Sequence, residues 1–144
     1  MYKLKTSVSF EAAHRLFDVD TYSEECRNNI HGHSYIVEVV VGRDKLNSAG
    51  MVMDFKLLKK IIKSEIEDKY DHSAIVKRID PLSRCLIENC KKVIIVEDNP
   101  TAEWMSQQFF YAVRDAIVEI DDDVKVISVS VQETERNIAT YEED

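Results

Sequence analysis

Apolar and polar side chains alternate from the start of the chain. Leu4, Val8, Phe10 and Ala12 occupy even positions within residues 2–13, the period-two pattern of a strand with one covered face. His14 keeps the parity of Phe10 and Ala12, so its imidazole is directed onto that covered face. The pattern lapses over 17–30, where Asp18, Asp20, Ser23, Glu24, Glu25 and Asn28-Asn29 read as a polar loop carrying Cys26. A second strand is expected over 34–41, rich in Val, Ile and Tyr. A turn region follows between Gly42 and Gly50.

The spacing then becomes helical. Leu57, Leu58, Ile61, Ile62 and Ile66 form one stripe, Lys56, Lys59, Lys60, Lys63, Glu65 and Glu67 the other face. Asp54 is the expected N-cap, and the helix is expected to end near Lys69, just before Tyr70-Asp71-His72-Ser73. Residues 73–99 carry weaker periodicity, read as a short helix over 82–90 and a short strand over 93–96. A second helix opens at Asn99-Pro100-Thr101-Ala102-Glu103, with Thr101 or Asn99 as cap and Glu103 in the acid-favouring first turn. Its stripe is Trp104, Met105, Phe109, Val113, Ala116, Ile117 and Ile120. A third strand over 124–132 enters Glu133-Thr134, and a brief fourth covers 138–141. Strands paired at each end with helices between predict an antiparallel sheet with helices packed on one face, an α+β architecture.

Composition narrows the class. The 144 residues, 44% hydrophobic and 32% charged, suit one globular domain with a sizeable core. No run approaches the roughly 18 apolar residues of a membrane span. The first residues lack a signal peptide's apolar segment, so a cytoplasmic location is expected. Three cysteines argue against a disulfide framework. A formal net charge of −8 argues against general nucleic-acid binding, while leaving room for an anionic small molecule held by a few local cations.

The chemistry concentrates in Cys26-Arg27-Asn28-Asn29-Ile30-His31-Gly32-His33-Ser34-Tyr35. In an extended chain His31 and His33 share a face, and Gly32 allows a bend between them. Zinc is the natural ion for such a pair; the competing reading is a surface pair on a strand. A third ligand must come from His14 or His72, and a buried, hydrogen-bonded structural role is the alternative for His14. Three histidines with an open fourth position would make a catalytic zinc site. His72 beside Asp71 suits acid/base work, and Cys26 near a metal would act as a thiolate base. Taken singly, these are also what a helix-end surface pair and a small buried thiol look like.

Together the segments Phe10-Glu11-Ala12-Ala13-His14-Arg15-Leu16, Cys26 to Tyr35, Gly50-Met51-Val52-Met53-Asp54-Phe55 with Leu58-Lys59, Asp71-His72, Pro100-Thr101-Ala102-Glu103 and Val131-Gln132-Glu133-Thr134 resemble the 6-pyruvoyl-tetrahydropterin synthase / 6-carboxy-5,6,7,8-tetrahydropterin synthase family. The resemblance spans nearly the whole chain. It implies a tunnelling fold, a four-stranded antiparallel sheet with two helices in the order ββααββ, assembled as a homo-hexamer of two trimers. It implies zinc on His14, His31 and His33, a Cys26, Asp71 and His72 proton-transfer set, and Glu133 anchoring a pterin ring. Thr101 and Glu103 look like further pocket residues by the same comparison, a plain helix cap being the alternative.

The implied reaction is zinc-dependent conversion of 7,8-dihydroneopterin triphosphate to 6-carboxy-5,6,7,8-tetrahydropterin for queuosine-type 7-deazapurine synthesis, with neither nucleic acid nor membrane as partner. Four residues separate Cys26 from His31, where carboxy-forming relatives commonly have three and pyruvoyl-forming ones five. A pyruvoyl-forming or folate-branch lyase therefore stands as the alternative, and a zinc-stabilised pterin-binding oligomer as the non-catalytic one. Tyr70 replaces the family's usual Leu before Asp-His, and Val76 lies near the place of a usual Asn. Cys85 and Cys90 read as bystanders, and Lys91-Lys92 as a solvated charge run.

Overall fold

A computed structural model describes residues 1–20 and 23–144, and of Cys26 only the backbone. Strand β1 (Tyr2–His14) leads into a short helix α1 (Glu24–Asn28), and β2 (His31–Arg43) returns antiparallel beside β1. Helix α2 (Phe55–Ile62) continues through one wider, π-type turn (Lys63–Glu67) into α3 (Asp68–Tyr70). Next come β3 (Ser73–Lys77), α4 (Leu82–Asn89), β4 (Val93–Val96), α5 (Ala102–Val118), β5 (Lys125–Thr134) and β6 (Asn137–Glu142). Among the described residues no helix is long and apolar enough to cross a membrane.

The α+β class holds, but the sheet is larger than the expected four antiparallel strands. Six strands lie in the order β4-β3-β1-β2-β5-β6, with β3 parallel to both β1 and β4. The ββααββ order thus gains two strands and a helix between α3 and α5, of which α4 and β4 lie where the weaker periodicity placed a short helix and a short strand. The missed strand β3 has four consecutive buried residues, Ser73 to Val76. A strand flanked on both sides by parallel neighbours shows no alternation, and five residues cannot be told from a buried stretch of helix by periodicity. The expected loop over 17–30 also contains α1, about one and a half turns.

Helices α2 and α5 cover one face of the sheet. Leu58, Ile61, Ile62, Met105, Phe109, Phe110, Val113 and Ile117 join Phe10, Ala12, Tyr35, Val37, Val39, Val41, Val129 and Val131 in a single core. Asp54 caps α2 as the sequence implies, and of the two candidates Thr101 and Asn99 it is Thr101 that caps α5. Asp54 Oδ1 accepts from the amides of Lys56 and Leu57, and Thr101 Oγ1 accepts from Trp104 at 3.1 Å. The loop leaving β1 is fastened twice. The Asn99 side chain pairs with both the N–H and the carbonyl of Phe17, and Arg15 reaches the buried carboxylate of Asp80.

Candidate active site

The β1–β2 register decides the geometry. His14 lies opposite His31, Ala12 opposite His33 and Phe10 opposite Tyr35. Strand parity then turns His14, His31, His33 and Tyr35 onto the helix-covered face, at the end of the hairpin that the Cys26-bearing connection joins. One ligand atom from each of the three histidines lies within 4.8 Å of the others. Glu133 joins them beside His33: it follows Val129 and Val131 on the inward parity of β5, and its Oε1 lies 3.3 Å from His33 Nε2. The third histidine positioned to hold an ion with His31 and His33 is thus His14, not His72.

Gly32 does not bend the strand as expected, since β2 runs through it unbroken. A Cβ there would meet the Ala12 carbonyl oxygen at 3.3 Å. Absence of a side chain lets the two strands close up between the histidines.

The hydrogen bonds leave the ring nitrogens facing one another. His14 Nδ1 donates to the Pro100 carbonyl at 2.8 Å, and His31 Nδ1 donates to Asn29 at 3.0 Å. Each ring therefore turns a bare Nε2 lone pair inward, and the two Nε2 atoms are 3.0 Å apart. His33 Nε2 is buried and makes no hydrogen bond, the Glu133 carboxylate 3.3 Å away approaching it as a charge neighbour only. Lone pairs crowded together and a buried unsatisfied nitrogen are costly without a cation. Ligands of one tetrahedral ion at 2.0–2.1 Å sit about 3.3 Å apart, so the set fits a divalent ion such as zinc.

Burial also favours the neutral, ligating form. His14 is 2% exposed and its pKa falls to about 4, with burial outweighing the Pro100 hydrogen bond. Burial lowers His33 too, against the opposing charge of Glu133. Tyr35, whose hydroxyl lies 3.3 Å from His14 Nδ1, is held protonated by burial.

A cavity of about 520 Å3 opens beside the triad. Its wall includes His14, His31, Thr101, Glu103, Glu133 and Arg136. Thr101 thus both caps α5 and faces the cavity. Arg136 escaped the sequence reading; its one signal is its place three residues after Glu133, in the turn before β6.

The Asp71–His72 dyad forms, but elsewhere. Asp71 Oδ2 holds His72 Nδ1 at 2.9 Å, while its Oδ1 accepts the Glu11 amide at 2.9 Å. Those bonds, the Glu11 one first, lower the Asp71 pKa. His72 has φ +59°, unusual for a residue with a Cβ, and its side chain is 80% exposed. Its Nδ1 donates to Asp71, so Nε2 is free for proton transfer. His72 borders a recess of about 390 Å3 together with Glu11, Ala12, Ala13, Gly32, His33 and Ser34. Neither Asp71 nor His72 lines the cavity beside the triad, so within one chain the dyad stands outside that cavity. The Cys26 side chain lies outside the described residues; its backbone is in α1. Lys92, expected to be solvated, donates instead to the carbonyls of Asp68 at 2.8 Å and Asp71 at 2.7 Å. Cys85 and Cys90 are exposed free thiols.

Fold and site together define an α+β protein that gathers three histidines, positioned to hold a metal ion, at one end of its central hairpin. The model of the 6-pyruvoyl tetrahydropterin synthase family matches residues 3–144, and the chain belongs to that family. It is 35% identical over 105 residues to a 6-carboxy-5,6,7,8-tetrahydropterin synthase of Rickettsia conorii, covering 72% of this chain and 73% of the relative. A 6-carboxy-5,6,7,8-tetrahydropterin synthase of Aquifex aeolicus is 33% identical over 161 aligned positions, 99% of each chain. An uncharacterized protein of Wolinella succinogenes shares the fold, with TM-score 0.85 at 23% identity over 99% of this chain and 98% of that one.

Proposed function

We propose that this chain is a zinc-dependent 6-carboxy-5,6,7,8-tetrahydropterin synthase acting on 7,8-dihydroneopterin triphosphate, in the route to queuosine-type deazapurines. The observation that carries the reading is the convergence of His14, His31 and His33 beside a cavity that also holds Glu133. Relatives bearing that name over most of the chain support the choice of product. His14, His31 and His33 would hold the ion, which supplies Lewis-acid stabilisation of negative charge developing on substrate oxygens.

The chain's own groups account for the rest. Glu133, an acceptor-only carboxylate, matches the paired amino and ring N–H donors of a pterin. Thr101 and Glu103 line the cavity where they can complete that polar contact. The Cys26 thiolate takes a proton from the substrate side chain, and His72 Nε2, oriented by Asp71, carries protons to and from it. Because neither Asp71 nor His72 lines the cavity beside the triad of its own chain, the dyad serves the cavity of a neighbouring copy, in keeping with a homo-hexamer of two trimers.

The test is incubation of the zinc-loaded protein with 7,8-dihydroneopterin triphosphate and identification of the products. Acetaldehyde with the carboxy-pterin supports the reading. A pyruvoyl-tetrahydropterin product or a glycolaldehyde-type fragment overturns it in favour of another lyase of the family, and pterin binding without turnover overturns it in favour of a binding protein. Cys26→Ala is expected to keep zinc and assembly while losing turnover; unaltered turnover removes Cys26 from the mechanism.

A further inference from the structure

The chain has seven arginines, and six of them pair with carboxylates. Arg15 binds Asp80, Arg27 Glu24, Arg43 Asp121 and Asp123, Arg78 Glu97, Arg84 Glu88, and Arg114 Asp115. Arg136 alone has no carboxylate partner among the described residues. In a protein whose Asp and Glu outnumber its Lys and Arg 27 to 19, partners are not scarce. Arg136 is also the one cation in the described wall of the cavity beside the triad, where Glu103 and Glu133 supply two negative charges. An anionic ligand entering there meets repulsion from both carboxylates, and apart from an ion held by the triad Arg136 is the one charge in the described wall that offsets it.

We propose that Arg136 is the specificity-determining cation of this cavity, holding the phosphate end of the ligand while Glu133 holds its ring. The inference rests on the pterin triphosphate reading above. Its planar fork of N–H donors matches phosphate oxygens in pairs, and no donor is committed to a carboxylate that the ligand must displace. Glu133 and Arg136 stand three residues apart, so their Cα atoms are at most about 10 Å from one another. The turn between β5 and β6 thereby carries both the ring clamp and the anion clamp, and the enzyme selects phosphorylated over unphosphorylated pterins at this one turn.

The test compares the zinc-loaded protein with Arg136→Gln and Arg136→Lys, by equilibrium binding and steady-state kinetics. The ligands are 7,8-dihydroneopterin triphosphate, 7,8-dihydroneopterin and inorganic triphosphate. Arg136→Gln is expected to weaken both triphosphate ligands on the order of 10- to 100-fold, the loss of charge-assisted contacts. Binding of unphosphorylated 7,8-dihydroneopterin is expected to stay within about twofold, and Arg136→Lys to recover part of the loss by keeping the charge without the fork. The kinetic loss is expected in KM rather than kcat. Unchanged triphosphate binding by Arg136→Gln, or equal weakening of phosphorylated and unphosphorylated pterin, overturns the proposal while leaving the pterin reading intact. Failure of the unsubstituted protein to bind either pterin overturns both.

Discussion

Acidifying the metal-free protein from pH 7 to 4 isolates the consequence of burying His14. In the unfolded chain this imidazole titrates near its ordinary value of 6.5, whereas in the fold burial brings it down to about 4. Above pH 6.5 both states are neutral and His14 contributes no pH dependence. Between 6.5 and 4 the unfolded chain gains a proton that the native one refuses, so stability falls as the pH drops. A displacement of about 2.5 pH units, at about 1.4 kcal/mol each, amounts to about 3 kcal/mol. His33 adds in the same direction, reduced by Glu133. Urea unfolding followed by circular dichroism in chelator at steps from pH 7 to 4, for the protein and for His14→Gln, reads this directly. Carboxylates such as Asp71 and Asp80 titrate in both proteins, so the difference between the two profiles isolates the imidazole. The gap is expected to narrow by about 3 kcal/mol on acidification, because the variant has no imidazole at that position to protonate. Parallel profiles refute the reasoning. Saturating zinc is expected to raise stability at pH 7 and lose that effect with acid, since only neutral imidazoles bind it.

Two further outcomes follow from polar contacts at the margins of the site. Asp80 is 1% exposed and Arg15 is its only cation among the described residues, so Arg15→Met strands a buried carboxylate. The expected cost is about 3–5 kcal/mol, and Arg15→Met/Asp80→Leu is expected to recover much of it in the same unfolding assay. Lys92→Met removes two charge-assisted bonds from the carbonyls that precede His72. A loss of about 1–2 kcal/mol is expected, with faster amide exchange over residues 68–73 and reduced turnover, while Lys91→Met is expected to leave both unchanged.

Much of the site was legible because strand parity is a local property. The position of His14 two residues beyond Ala12 and four beyond Phe10 was enough to place it on the covered face, and the His31-Gly32-His33 spacing placed its partners together. Caps at Asp54 and Thr101 were legible for the same reason, since a side chain bonding amides two or three residues ahead needs no distant partner. Strand β3 was not, because its burial comes from neighbours on both sides. Arg136 was not either: an unpaired guanidinium is recognised only once the partners of the other six are seen.

The sequence by itself determined which residues could do chemistry and onto which face of their own strand or helix each would turn, since backbone geometry with periods of 2 and 3.6 settles that within a few residues. Only the tertiary structure decided that His14 rather than His72 completes the triad, through a register that sets His14 opposite His31. It alone kept Asp71 and His72 out of the wall of the triad's cavity, by seating β3 parallel to β1. Pairing between strands distant in the chain obeys the summed burial of the whole core, and no local window contains that sum.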